Sequence, residues 1–397
     1  MDKKLNNQIC ELERIANEQF GLDFYPIQFN LVSPGYISQI ASFGLPERFI
    51  HWDFGREYKK FNLGGGSMKI LELVLNNNPA YAYLSKDNTY TENLFIIAHV
   101  IGHVDFFKNN GNFKKLSKNM VDKAGVNAKI VDMLRVEYGK KIDEYLTSLL
   151  SVASSSINSL QYEYKKKENL FYYLYEHADK NECYQKFLFD MVKEEFEYFD
   201  PIYRAQIANE GWATFVEFNI LKEYFNPQQW WDFARNFGLR PEVYKLGFEI
   251  YNSIYKEKGW DKCLDIRICC DDIAFVQSYL SQDVVNVLKM GFKNDSGKFE
   301  IANVDDVIST IVVQKQTKGC PIFTIDTENS EKGGSLYIFY KCKPGEVLYP
   351  SNPRNIAFFK QIYNLWKNDI IFELYQPDSL TYDEYVYDPK DKIMKIL

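Results

Sequence analysis

Apolar residues run almost all the way round a predicted helix between Thr89 and Lys108. Thr89 and Glu92 have the spacing of a capping box, in which each residue bonds the other's backbone amide. Asn109-Asn-Gly111 then supplies residues that tolerate the left-handed conformation in which helices often end. Because no polar stripe interrupts the apolar positions, the pattern predicts a core helix. Its unbroken apolar run is shorter than the roughly 20 residues that a membrane span requires.

The pattern before and after this helix predicts a mainly helical region with a few strands ahead of it. An amphipathic helix at 7–20 precedes an extended segment at 24–32, and strands are predicted at 69–75 and 80–84. Helical periodicity then dominates from about residue 115 to 260. The predicted helices there are 127–160, 167–177, 183–198, 204–225 and 241–258.

The pattern of predicted secondary structure changes after about Asp271, where short strands alternate with helices. Helices are predicted near 305–318 and 354–367. Strands are predicted at 284–292, 298–304, 321–326, 335–341 and 370–375. We therefore expect an α+β protein with a mainly helical N-terminal core at 1–270 and a small α+β C-terminal domain at 271–397.

Composition narrows the class of protein. The 397 residues are 46% hydrophobic and 25% charged, which is ordinary for a globular protein. The net charge of −7 disfavours a general nucleic-acid-binding role. Seven scattered cysteines with no CxxC pair predict reduced thiols and not a disulfide framework or a cysteine zinc site. The N-terminus lacks an apolar signal region, so we expect a cytoplasmic protein.

Two of the four histidines, His99 and His103, lie on the predicted core helix. Residues at i and i+4 share a helix face with β-carbons about 5–6 Å apart. Two imidazoles at that spacing can bind one metal ion. The alternative is purely structural, because the same rings can hydrogen-bond to backbone carbonyls or to buried carboxylates.

Several segments together resemble the SpoVR family, named for stage V sporulation protein R. The resemblance runs in the family's order over nearly the whole chain. It is carried by the segments 21–26, 51–56 (HWDFGR), 72–79, 98–110 (AHVIGHVDFFKNN), 209–214 (NEGWAT), 246–250, 270–275 and 334–337. Two segments depart from many relatives: Val216-Glu217 stands where Trp-His is common, and residues 155–170 replace a longer Arg-rich insertion.

The resemblance implies an association with assembly of the spore cortex, a peptidoglycan layer. Relatives in non-sporulating bacteria tend to be encoded beside a PrkA-type serine kinase and a protein with a von Willebrand A-like domain. These are the protein partners that the resemblance implies. We expect no nucleic-acid partner and no membrane span.

A metal site in this chain would follow the gluzincin plan, with Glu210 from a later helix joining His99 and His103. Zinc is the expected metal for two imidazoles and one carboxylate. Glu217 is seven residues after Glu210, so it can share that helix face and act as a fourth ligand. His51 is expected either to reach the site, directly or as a partner of a ligand, or to pack beside Trp52.

The sequence departs from a zincin at the HExxH motif, where the glutamate position is Val100. A valine cannot accept a proton from zinc-bound water. The general base would then be Glu194 or Glu195, because the resembled family also has a glutamate pair there. Glu72, on the predicted edge strand that would give a zincin-like layout, is the next choice.

Two functions follow from this reasoning. The first is a zinc-dependent hydrolase of an amide or peptide-like bond, in a peptidoglycan precursor or a partner protein. The second is a non-catalytic regulator or scaffold in cortex assembly, or in stress signalling with a PrkA-type kinase, in which the histidines are structural.

Overall fold

The structure is a computed structural model that describes residues 3–52, 54, 72–156, 168–294, 296–317, 321, 323–342 and 348–396. The start of the strand predicted at 69–75 and part of the HWDFGR segment lie outside the described residues. The chain forms two compact units. The first consists of Met1–Lys129 and Pro201–Val312, and the second of Ile130–Asp200 and Val313–Leu397.

The first unit contains most of the helices. Those that lie wholly within it are α1 (Lys3–Glu18), α2 (Pro34–Phe43), α3 (Tyr90–Asn109), α4 (Gly111–Lys114), α9 (Gln206–Tyr224), α10 (Pro227–Gly238), α11 (Glu242–Cys269), α12 (Asp272–Tyr279) and α13 (Gln282–Val287). Its strands are β1 (Ile27–Val32), β2 (Glu72–Leu75), β3 (Ala80–Ser85), β4 (Gly291–Lys293) and β5 (Phe299–Ile301). The division between the units falls inside α5 (Met120–Tyr138), α8 (Cys183–Arg204) and α14 (Val304–Thr317).

Helix α3 has the N-terminal cap and the buried position that the sequence predicted. The Thr89 hydroxyl accepts from the Glu92 amide at 3.1 Å, and the Glu92 carboxylate accepts from the Thr89 amide at 2.6 Å. Every residue from Asn93 to Phe107 is buried, so both the capping box and the core position are confirmed. A short link from β3 leads into the helix. Strand β3 is the centre of a three-stranded sheet, parallel to β1 and antiparallel to β2.

Helices α3, α9 and α11 pack at close backbone distance because small residues lie where they cross. A β-carbon on Gly102 of α3 would lie 2.7 Å from the Ala213 Cα of α9. A β-carbon on Gly211 of α9 would overlap the Gly247 backbone of α11. Glycine at these positions therefore permits the spacing at which side chains next to them can meet.

The second unit contains a five-stranded sheet in the order β10-β9-β8-β7-β6. Strands β7 and β8 are parallel, and the other neighbours are antiparallel. Its strands are β6 (Thr324–Ile325), β7 (Leu336–Lys341), β8 (Ile370–Gln376), β9 (Thr381–Asp388) and β10 (Ile393–Ile396). Its complete helices are α6 (Lys141–Ser156), α7 (Leu170–His177), α15 (Thr327–Gly333) and α16 (Pro353–Trp366), and α6 packs against α16.

Two predicted elements are wrong. The helix predicted at 127–160 is interrupted between α5 and α6, because Gly139 takes a left-handed φ of 62°. The strand predicted at 284–292 begins as helix α13, whose first turn is capped by the Ser281 hydroxyl accepting from the Val284 amide. This cap outweighs the strand preference of the local valines.

The mainly helical architecture with a sheet in the C-terminal region confirms the α+β class. The domain boundary predicted near residue 270 stays a prediction. The two compact units divide the chain at other positions, after residues 129, 200 and 312. Among the described residues, no helix combines the length and the apolar character that crossing a membrane requires.

We predict that Gly211→Ala will lower the free energy of unfolding by about 1–3 kcal/mol, because its methyl group has no space against the Gly247 backbone. Urea denaturation followed by circular dichroism measures this loss. The matched control is Gly238→Ala, where a β-carbon would meet no atom within 4 Å. Equal stability of the two variants would contradict the packing described for α9 and α11.

Candidate metal centre

The two histidines of α3 are almost completely shielded from solvent. His99 is 1% exposed and His103 is 4% exposed. Their rings lie 4.6 Å apart between centroids and nearly at right angles. The i,i+4 spacing therefore brings both imidazoles to one face of the helix, as the sequence predicted.

Helix α9 supplies the carboxylate opposite this pair. Glu210 Oε2 lies 3.3 Å from His103 Nε2 and 3.5 Å from His99 Nε2. One ligand atom from each of the three residues lies within 4.8 Å of the other two. The Glu210 side chain keeps 18% of its surface exposed, so the three residues meet near the edge of the core. Across the described residues, this is the one group of metal-ligating side chains with such a spacing.

The second nitrogen of each imidazole already has a partner. His99 Nδ1 lies 2.9 Å from Glu217 Oε2, and His103 Nδ1 lies 3.0 Å from Asn209 Oδ1. Carboxylate and amide oxygens accept hydrogen bonds and do not donate them, so each Nδ1 carries the proton. In neutral imidazoles, both Nε2 lone pairs then point toward Glu210.

A cation stabilises the carboxylate behind His99. Arg240 Nη1 and Nη2 each lie 2.6 Å from a different oxygen of Glu217. Burial raises the pKa of Glu217, but Arg240 and His99 outweigh it and hold that pKa below its ordinary value. Glu217 is therefore ionised at neutral pH.

The pKa of Glu210 is likewise set by burial acting against neighbouring groups. Burial raises the pKa of Glu210, whereas His103 and His99 lower it, and the histidines prevail. An ionised Glu210 facing two imidazole nitrogens is the donor set that a divalent cation of zinc type prefers. The same contacts also satisfy the core when an imidazole is protonated, which is the structural alternative.

The opposite side of α3 is tied down by a separate polar cluster. Asp105 accepts from the Trp212 indole N–H and from the Asp23 backbone amide, both at 2.9 Å. Arg267 Nε lies 2.6 Å from Asp105 Oδ2. Burial raises the pKa of Asp105 to about 6, even though Arg267 acts to lower it. Asp105 thus fixes the helix and is not among the converging ligands.

Two other predicted ligands, Glu217 and His51, are not among the three converging residues. Glu217 bonds the Nδ1 side of His99, away from the point where the three ligand atoms meet. His51 is buried beside aromatic rings, 5.6 Å from Trp52 and 5.8 Å from Phe54 between centroids. It is not one of the three converging residues.

The residues predicted as general base stay predictions. Glu194 is exposed and Glu195 is buried, and both lie on α8 in the second unit. Glu72 pairs with Leu84 through the backbone as the first residue of β2, and its side chain lies outside the described residues. Val100, at the position of the zincin glutamate, is completely buried.

Two residues that hydrogen-bond to His103 or to Glu217, Asn209 and Arg240, were missed from the sequence. Asn209 directly precedes Glu210 in the NEGWAT segment, so a search for imidazole partners within that segment would have found it. Arg240 lies in the link between α10 and α11, and no local pattern marks it. Only the packing of α11 against α9 brings it to Glu217.

The fold and the site define a class: an α+β protein whose helical core brings two histidines and a glutamate to one point. The family model described as "SpoVR like protein" matches residues 2–166 and 153–314. The chain therefore belongs to the SpoVR family, which confirms the resemblance found in its sequence. The HxxxH segment of α3 and the NEGWAT segment of α9 both lie within the matched residues.

One curated relative extends the comparison. The chain is 26% identical over 276 residues to the uncharacterized protein YcgB of Escherichia coli (strain K12). The match covers 56% of this chain and 54% of that protein, so the chain spans about half the length of the relative. No solved structure matches.

We predict that the stability cost of Glu217→Gln will depend on pH. The folded pKa of Glu217 is lowered, so its ionised form stabilises the fold above about pH 4.5, and that contribution is lost as pH falls through the folded pKa. The difference in free energy of unfolding between wild type and variant should be largest near pH 7 and shrink below pH 4.5. Urea titrations at several pH values measure it.

The control for this pH series is Glu18→Gln, which removes one exposed partner of Arg14 on α1. Exposed ion pairs contribute little, so its stability difference should be small at every pH. A Glu217→Gln difference that stays constant from pH 7 to pH 3 would contradict the ionised state assigned to Glu217.

Proposed function

We propose that His99, His103 and Glu210 bind a zinc ion, and that the protein uses it to hydrolyse an amide or peptide-like bond. The observation that carries the proposal is the convergence of two imidazole Nε2 atoms and one carboxylate oxygen within 4.8 Å. Two imidazoles and one carboxylate are the protein ligands of many catalytic zinc sites.

The residues present fit such an ion in three respects. Both Nδ1 atoms are occupied by hydrogen-bond acceptors, which directs the Nε2 lone pairs to the common point. Glu210 presents a carboxylate oxygen 3.3 Å from His103 Nε2 and 3.5 Å from His99 Nε2. The Glu210 side chain keeps 18% of its surface exposed, so the three residues lie near the edge of the core.

Zinc held by these ligands would supply a Lewis acid that lowers the pKa of a bound water toward neutrality. The chain's own contribution is to orient the two imidazoles and to supply a base. Val100 cannot accept a proton, so we assign that role to Glu194 or Glu195, with Glu72 as the next candidate. Strand β2, preceding the histidine helix as in a zincin-like layout, is the segment with which an extended substrate would pair.

The family resemblance suggests the setting of the reaction. A bond in a peptidoglycan precursor, or in a protein that takes part in cortex assembly, fits an amide hydrolase in the cytoplasm. The partners that the resemblance implies are a PrkA-type kinase and a von Willebrand A-like protein.

A second function is favoured by one specific observation. The Glu210 carboxylate lies 3.3 and 3.5 Å from the two imidazoles, so a protonated histidine satisfies it without any ion. Together with Val100 in place of the zincin glutamate, this contact supports a non-catalytic regulator or scaffold. In such a protein the three residues would form buried polar contacts that hold α3 and α9 together.

We predict that protein purified without a polyhistidine tag will contain about one zinc ion per chain. The double variant His99→Ala/His103→Ala should lose it, and Glu210→Gln should bind it more weakly, because each change removes a ligand. Elemental analysis by mass spectrometry measures the metal content. His177→Ala is the matched control, since that imidazole lies at the end of α7 with 41% of its side chain exposed.

The result that opposes this prediction is metal-free protein whose unfolding transition does not move when zinc or a chelator is added. That outcome would favour the scaffold, because a ligand that binds the folded state must stabilise it.

We predict that one of Glu194→Gln, Glu195→Gln and Glu72→Gln will abolish function while zinc content stays unchanged, because removing a base leaves the ligands in place. Complementation of a deletion strain, paired with metal analysis of each variant, measures both properties. If all three variants complement and retain zinc, the base assignment is wrong.

A further inference from the structure

We propose that Arg240 is a positioning residue that acts through Glu217 to hold His99 in the tautomer that can bind metal. This inference rests on the proposed function, because it assigns a role within the same site. Arg240 donates to both oxygens of Glu217 and, at 3.4 Å, to the Thr214 hydroxyl. Glu217 in turn contacts His99 Nδ1, and the Thr214 hydroxyl donates to the Glu210 backbone carbonyl at 2.7 Å.

The first step is the bond between Arg240 and Glu217. Nη1 of Arg240 lies 2.6 Å from Oε2 of Glu217, and Nη2 lies 2.6 Å from Oε1. This is the bidentate geometry of a strong charge-assisted pair. Glu217 is completely buried, and both of its oxygens accept from the guanidinium. Arg240 therefore fixes the orientation of the carboxylate behind His99.

The second step runs from Glu217 to His99. Because Glu217 Oε2 can only accept, the proton of a neutral His99 imidazole must lie on Nδ1. Nε2 is then unprotonated and faces Glu210. A carboxylate behind an imidazole also raises its basicity as a ligand, an effect known from carboxylate–histidine–zinc arrangements.

The two histidines differ in this respect. His103 Nδ1 bonds the neutral amide oxygen of Asn209, whereas His99 Nδ1 bonds a charged oxygen that a second residue stabilises. Tyr244, the third residue of α11, stacks on the His99 ring at 5.8 Å between centroids with planes 16° apart. The start of α11 and the link before it therefore restrain both the proton and the plane of His99.

Nuclear magnetic resonance of the metal-free protein tests the first half of this proposal without any zinc. With four histidines in the chain, long-range ¹⁵N–¹H correlations resolve each tautomer. We expect His99 in the Nδ1-protonated form in wild type. The double variant Glu217→Leu/Arg240→Leu should lose that preference, and replacing both charges together avoids leaving one buried and unpaired.

Zinc competition with a chromogenic chelator tests the second half. We expect the double variant to bind zinc about 10- to 100-fold more weakly than wild type, the usual cost of losing an outer partner of a ligand. Arg240→Lys should fall between them, because one ammonium cannot make the bidentate contact. Arg14→Gln is the matched control, since Arg14 also contacts two glutamates but on the exposed face of α1.

The outcomes separate the two proposals. Wild-type His99 protonated on Nε2, or on both nitrogens at neutral pH, overturns the role of Arg240 whether or not zinc binds. Unchanged zinc affinity in a folded double variant also overturns it. The expected tautomer in a wild-type protein that binds no zinc supports the positioning by Arg240 and Glu217, and rejects the metal centre.

Discussion

The direct backbone contact between α9 and α11, together with the close crossing of α3 and α9, is the constraint on which the site depends. Gly211 and Gly247 remove the side chains that would separate α9 from α11, and Gly102 does the same against Ala213. A β-carbon at any of the three glycines would push the helices apart. The contacts of Glu210 at 3.3 and 3.5 Å cross the α3–α9 interface, which is the one that Gly102 keeps close. The chemistry of the site is therefore set by small residues that take no part in it.

The same three helices explain how so many polar groups are tolerated in an apolar core. Two of the buried carboxylates have an arginine partner: Arg240 for Glu217 and Arg267 for Asp105. One of these arginines lies just before α11 and the other near its end. The two arginines lie on opposite sides of the kink at Gly259, where the backbone of α11 is not helical. Such pairs are costly to break, because the remaining charge stays buried.

Particular residues show how far sequence reasoning reached. Local patterns suffice where neighbours in the chain make the decisive contacts, as in the capping box of Thr89 and Glu92. They fail where a single residue outweighs propensity: Gly139 takes a left-handed φ, and Ser281 caps α13. Strands β9 and β10 were missed because the segments 381–388 and 393–396 depend on pairing in series beside β8, and their local sequence does not show that pairing.

The sequence by itself determined the class of the fold, the burial of the histidine helix and the presence of both imidazoles on one face, because 3.6-residue periodicity and capping are local properties. Only the tertiary structure decided that Glu210 reaches both Nε2 atoms while Glu217 lies behind His99. Those two carboxylates share one helix, and their different positions depend on where α9 crosses α3. The bond between Arg240 and Glu217 also depends on the tertiary structure, because helix packing joins these residues across 23 positions of sequence.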